Sequence, residues 1–78
     1  MTGALTADGF LRRIVDTLEP SAVLVADRPL GTQLAVDSAR LIELAIVLEQ
    51  DLGMSLPDDV DLRALTPAAL YADYRGGR

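Results

Sequence analysis

Asp37-Ser38-Ala-Arg-Leu-Ile-Glu-Leu-Ala-Ile-Val-Leu-Glu-Gln-Asp-Leu52, closed by Gly53, decides the fold of this chain. Leu41, Leu44, Ala45, Leu48 and Leu52 recur at three- and four-residue spacings, which predicts a helix over residues 38–52 with one core stripe. Gly53 supplies a C-terminal stop. Ile42, Ile46 and Val47 widen the apolar surface beyond that stripe. Ile42 and Ile46 stand four and eight residues past Ser38, on the serine's side of the helix. The helix is therefore either central and packed on two sides, or presents a second apolar face to a partner. In a helical bundle both hold together.

Upstream, Phe10, Leu11, Ile14, Val15 and Leu18 form the apolar stripe of a first helix over residues 7–19, with Thr6 or Asp8 as cap and Pro20 as terminator. The seventeen residues from Ser21 to Asp37 keep no period; Pro29 and Gly31 punctuate them, and Val23, Leu24, Val25, Leu30, Leu34 and Val36 act as apolar anchors. A connection this long is expected to drape over the other helices and deliver Asp37-Ser38 to one end. A short strand at Leu24-Val25 is the alternative. Downstream, Met54 to Asp58 reads as a loop with Met54 and Leu56 turned inward. Val60 to Leu65 reads as a short helical turn with Leu62 and Leu65 buried. Thr66-Pro67 starts a last helix over residues 67–74 that points Leu70 and Tyr71 or Tyr74 inward. This order gives an all-α, up-and-down bundle with one extended connection. Residues 1–78 read as one domain with an ordered core over about 6–75, the termini 1–5 and 76–78 being expected to fray.

Of 78 residues half are hydrophobic but only Phe10, Tyr71 and Tyr74 are aromatic, so the core must be mostly aliphatic. The chain has no cysteine and no histidine, which removes thiol, imidazole and triad chemistry and the usual transition-metal ligands. The paired acids Asp58-Asp59, with Asp61, read as a solvated turn. The formal net charge is −5, from twelve acids against seven arginines with no lysine, which argues against nucleic acid as a partner. Six of those acids (Glu43, Glu49, Asp51, Asp58, Asp59, Asp61) lie between Leu41 and Asp61 with no base among them. Such a segment steers basic partner surfaces toward itself, or serves solubility alone. Met1 to Leu5 lack the basic start and apolar run of a signal peptide, and no run approaches a membrane span. A cytoplasmic monomer with no membrane contact is the expectation.

On spacing alone, Asp37-Ser38 is a helix cap and nothing more. The flanking pattern changes that reading. Val36 stands before Asp37, Glu43 follows the serine by five, Leu48-Glu49 by ten and eleven, and Leu52, Met54, Leu56, Pro57, Thr66 and Leu70 continue in register. The stretches Leu34-Ala-Val-Asp-Ser-Ala39 and Leu48-Glu-Gln-Asp-Leu-Gly-Met-Ser-Leu-Pro57 resemble the acyl carrier protein family, a resemblance spanning roughly residues 8 to 74. It implies a four-helix bundle of acyl-carrier type, with a long loop between helices 1 and 2 and a short third helix. It implies that Ser38 takes a covalent 4′-phosphopantetheine arm from coenzyme A through a separate phosphopantetheinyl transferase, with Asp37 helping to place the transferase's magnesium. The protein would be no enzyme itself. It would hold acyl intermediates as thioesters for acyl-loading and acyl-processing enzymes, which explains why it needs no cysteine or histidine. Ile42, Glu43, Ile46, Glu49 and Asp51 would face those partners.

Three residues depart from the family pattern. Ala39 replaces the usual leucine or methionine after the serine, Ala35 replaces a glycine two before the aspartate, and Arg40 stands where fatty-acid-type carriers often have an acid. Arg40 would weaken attraction to a general fatty acid synthase partner, which points to polyketide or fatty-acid-like secondary metabolism with dedicated partners. The alternatives are an aminoacyl or peptidyl carrier, from whose Gly-Gly-His/Asp-Ser pattern Val36-Asp-Ser38 leans away, and an unmodified helical interaction module.

Overall fold

A computed structural model describes residues 5–76. Every element in it is helical, and the described residues contain no strand. They comprise α1 (Ala7–Leu18), α2 (Leu30–Gln33), α3 (Ser38–Ile46) with a π-helical continuation over Val47–Asp51, a 3₁₀ turn (Leu62–Ala64) and α4 (Pro67–Arg75).

Each longer helix begins at a side-chain cap. Thr6 Oγ1 accepts the Gly9 N–H at 3.1 Å, Asp37 Oδ1 the Arg40 N–H at 2.9 Å, and Thr66 Oγ1 the Ala69 N–H at 3.0 Å. Each such cap stabilises its helix by about 1 kcal/mol, and Pro67 at the first position of α4 gives up a donor that would have been orphaned anyway. Glu19 is extended rather than helical (φ −156°, ψ 91°), so α1 stops one residue before the sequence suggests. The ring of Pro20 disfavours the helical conformation in the residue before it and pushes it toward extended backbone.

Phe10, Ile14 and Leu18 of α1, four residues apart, meet Leu30, Leu44, Leu48, Met54, Leu62 and Leu70 in one core. Fully burying each such side chain stabilises the fold by roughly 1.5–3 kcal/mol before entropy is counted. Helix α1 lies between α3 and α4, and α2 packs against the 3₁₀ turn. Leu41, Ala45, Leu52 and Leu65 pack on the core only partly buried. The aromatics are less incidental than the composition implies. Phe10 is fully buried with its ring centroid 5.4 Å from that of Tyr71 and 5.2 Å from that of Tyr74. The Tyr74 hydroxyl accepts the Leu5 N–H at 2.7 Å, and the Tyr71 hydroxyl donates to the Leu5 carbonyl at 3.0 Å. Leu5, expected to fray, is thereby tied to α4; residues 1–4 and 77–78 lie outside the described residues.

Two further features differ from expectation. The long connection contains a full helical turn, α2, with Leu30 buried. Beside it the Gln33 side chain bonds both the N–H and the carbonyl of Val25, and its amide also donates to the Arg28 carbonyl at 2.7 Å. Leu24-Val25 is thus pinned by a side chain and not by a neighbouring strand. Helix α3 ends in a widened turn, in which the Leu52 N–H reaches the Val47 carbonyl (3.1 Å) and the Met54 N–H reaches the Leu48 carbonyl (2.9 Å). Gly53 makes the reversal at φ +70°, where a side chain would be strained. No described helix is long and apolar enough to cross a membrane.

Candidate functional site

Asp37 takes the capping role at α3, with extended backbone (φ −82°, ψ 171°) and its carbonyl accepting the Leu41 N–H at 3.2 Å. That assignment frees Ser38. The serine is the first helical residue, it is exposed, and its hydroxyl has no hydrogen-bond partner among the described residues. Of the first four N–H groups of α3, those of Arg40 and Leu41 are spoken for by Asp37. The N–H groups of Ser38 and Ala39 point out of the helix start, where the dipole favours an anion by roughly 0.3–1 kcal/mol.

Along α3 from the serine, Ile42 is 62 % exposed and Ile46 49 % exposed, so both belong to the outward surface and not to the core. Glu43 lies on the same helix, 3.5 Å from the Arg40 guanidinium; both side chains are more than half exposed, so the pair is worth a few tenths of a kcal/mol at most. Its effect is on the surface field, because Arg40 offsets Glu43. Ile42 and Glu49 share a groove of about 370 Å³ with Leu41 and Ala45, faced by Leu56, Pro57, Val60 and Leu62 and rimmed by Asp58, Asp61 and Arg63. Leu56 does turn inward, as the sequence suggests, but as a wall of this groove.

Asp51 is not with them. Its carboxylate is engaged by Arg13 of α1, and it lines a separate recess with Leu5, Arg12 and Tyr74. Ile42 and Asp51 line different recesses: Ile42 the groove faced by Leu56, Pro57 and Val60, and Asp51 the one beside Arg12, Arg13 and Tyr74. Glu49 shares the groove with Ile42. The acids of the segment Leu41–Asp61 thus divide. Glu43 and Asp51 are paired with arginines, while Glu49, Asp58 and Asp59 form no ion pair among the described residues.

A second recess of about 620 Å³ lies between Leu18-Glu19-Pro20 at the end of α1 and the approach Leu34 to Asp37, with Arg40 also lining it. The approach itself is strapped by Arg63, whose Nη2 donates to the Val36 carbonyl at 2.9 Å. Nothing local in the sequence marks Arg63 or Gln33, since both act across intervals that no period reveals. No group of three or more metal-ligating side chains gathers among the described residues. Comparison with protein-family models, with curated proteins and with solved structures finds no match.

Proposed function

We propose that this chain is an acyl carrier protein, a four-helix bundle of acyl-carrier type whose Ser38 bears a 4′-phosphopantetheine arm. The observation that carries the reading is the division of labour at the start of α3: Asp37 caps the helix, so Ser38 stays exposed with an unengaged hydroxyl. A serine needed only as a cap would hold the capping position itself. The residues present suit a phosphodiester: a free hydroxyl to bear it, and the N–H groups of Ser38 and Ala39 to receive its charge. The arm supplies a terminal thiol that holds an acyl group as a thioester, which this chain, without cysteine, cannot supply itself.

Asp37 spends one carboxylate oxygen on the Arg40 N–H. A carboxylate has further lone pairs, and those remain for the magnesium of a docked transferase. Ile42 and Ile46 give that enzyme and the acyl-processing enzymes an apolar grip, with Glu43 and Glu49 as the charged margin. Asp51 lies outside this surface. Arg40, two residues past the serine, stands just ahead of the acidic run and selects for partners that tolerate or match a positive charge there. That favours dedicated partners, as in polyketide or fatty-acid-like secondary metabolism.

The test is intact mass after incubation with coenzyme A, magnesium and a promiscuous phosphopantetheinyl transferase, beside Ser38→Ala. A gain of one phosphopantetheinyl unit in the parent and none in the variant is expected. No gain in a folded parent would refute the carrier reading and leave an unmodified helical interaction module.

A further inference from the structure

Only one hydrogen bond holds the backbone of Ala35 and Val36 among the described residues, and it comes from across the molecule. Leu34 is still tied to α2 through its N–H on the Leu30 carbonyl (3.0 Å), and Asp37 already belongs to α3 through its carbonyl. Between them, the single bond is the one that Arg63 Nη2 donates to the Val36 carbonyl, 27 residues away in sequence. The root of that side chain is as well fixed as its tip. Asp61 Oδ1 accepts the Arg63 N–H at 3.1 Å, and the Leu30 N–H bonds the Leu65 carbonyl at 3.0 Å, locking the 3₁₀ turn to α2. A Cβ on Gly31 would lie 3.0 Å from Arg63 Cβ and 3.1 Å from the Arg63 carbonyl oxygen, so the stem starts hard against bare backbone.

We infer that Arg63 is a positioning residue of the Ser38 site: its strap to Val36 sets the register in which Asp37 caps α3 and Ser38 meets the modifying enzyme. The inference rests on the carrier reading of Ser38. The chemistry suits the task, because a guanidinium is always charged and its bond to a carbonyl is stronger than a neutral one. Arg63 also rims the groove that Ile42 and Glu49 line, so kcat and KM are read separately: a role in presentation lowers kcat, whereas a role in docking raises KM for the carrier.

Two variants test this with the full chain, coenzyme A, magnesium and a phosphopantetheinyl transferase. Arg63→Met keeps the stem and removes every donor; Arg63→Lys keeps one donor at the tip. Arg63→Met is expected to lower kcat about tenfold, the rate equivalent of ~1.4 kcal/mol, with KM for the carrier nearly unchanged. Arg63→Lys should recover most of the loss. Amide exchange supplies a readout independent of modification: the Arg40 N–H, capped by Asp37, should exchange faster in Arg63→Met while the amide of core residue Leu48 keeps its protection. Parental kcat in Arg63→Met, a loss confined to KM, no recovery in Arg63→Lys, or equal loss of protection at Arg40 and Leu48 would each overturn the proposal. A parent left unmodified under the same conditions would overturn the carrier reading and this proposal with it, whereas a parent modified no faster than Arg63→Met overturns the proposal alone.

Discussion

Replacing Gly31 with alanine sets two effects of opposite sign against each other, and the geometry decides between them. Gly31 lies within α2, where alanine is favoured over glycine by up to about 1 kcal/mol. Propensity alone therefore makes Gly31→Ala stabilising. The new Cβ, however, would stand 3.0 Å from Arg63 Cβ and 3.1 Å from the Arg63 carbonyl oxygen. A flexible side-chain tip would swing away from such a contact; a carbonyl and a Cβ, anchored by the Asp61 cap and the Leu30–Leu65 bond, move only if the 3₁₀ turn moves with them. Forced overpacking of this kind costs about 1–3 kcal/mol. The net expectation is destabilisation by about 1 kcal/mol, or roughly 4–8 °C in Tm for a domain of this size. Urea unfolding followed by far-UV circular dichroism measures it, with an unchanged m-value showing that the two-state comparison is fair. A Gly31→Ala protein more stable than its parent would refute the close seam between α2 and the 3₁₀ turn, and with it the fixed root of the Arg63 strap.

Leu48→Ala is expected to cost about 2–5 kcal/mol in the same assay, since Leu48 is fully buried; a cost below about 0.5 kcal/mol would mean that α3 is rotated from the orientation described. Glu49→Lys should slow association with the transferase in a salt-sensitive way, and Glu43→Lys should do so less, because Arg40 already offsets Glu43. Stopped-flow association across a salt series checks both; equal rates for parent and variants at every salt concentration would remove the acidic margin from the docking argument.

What the sequence reveals of this molecule is what repeats locally. The stripe Phe10-Ile14-Leu18 and the pair Leu44-Leu48 are visible as periods and are the core. Thr6, Asp37 and Thr66 are visible as caps and all three cap. Helix α2 is one turn long, too short for a period to show, and its stability comes from burying Leu30 and from the Leu30–Leu65 bond. The Gln33 clamp and the Arg63 strap span 8 and 27 residues, and nothing in either residue type announces the partner. Asp51 differs again: charge groups it with Glu43 and Glu49, but its pairing with Arg13 of α1 spans 38 residues and no local pattern shows it.

The aromatic trio carries a consequence for anyone who follows this protein by optical means. The chain has no tryptophan, and Phe10, Tyr71 and Tyr74 all gather where the start of α1 meets α4. The Ser38 end of the molecule lies by Leu18, about 12 Å further along α1. Every intrinsic chromophore therefore looks at one pole and is blind to the other. Tyrosine emission and near-ultraviolet dichroism will register global melting but stay flat through events confined to the serine pole. A signal that does change when that pole is modified or docked would show the disturbance crossing the whole core, a clean optical separation of local from long-range response.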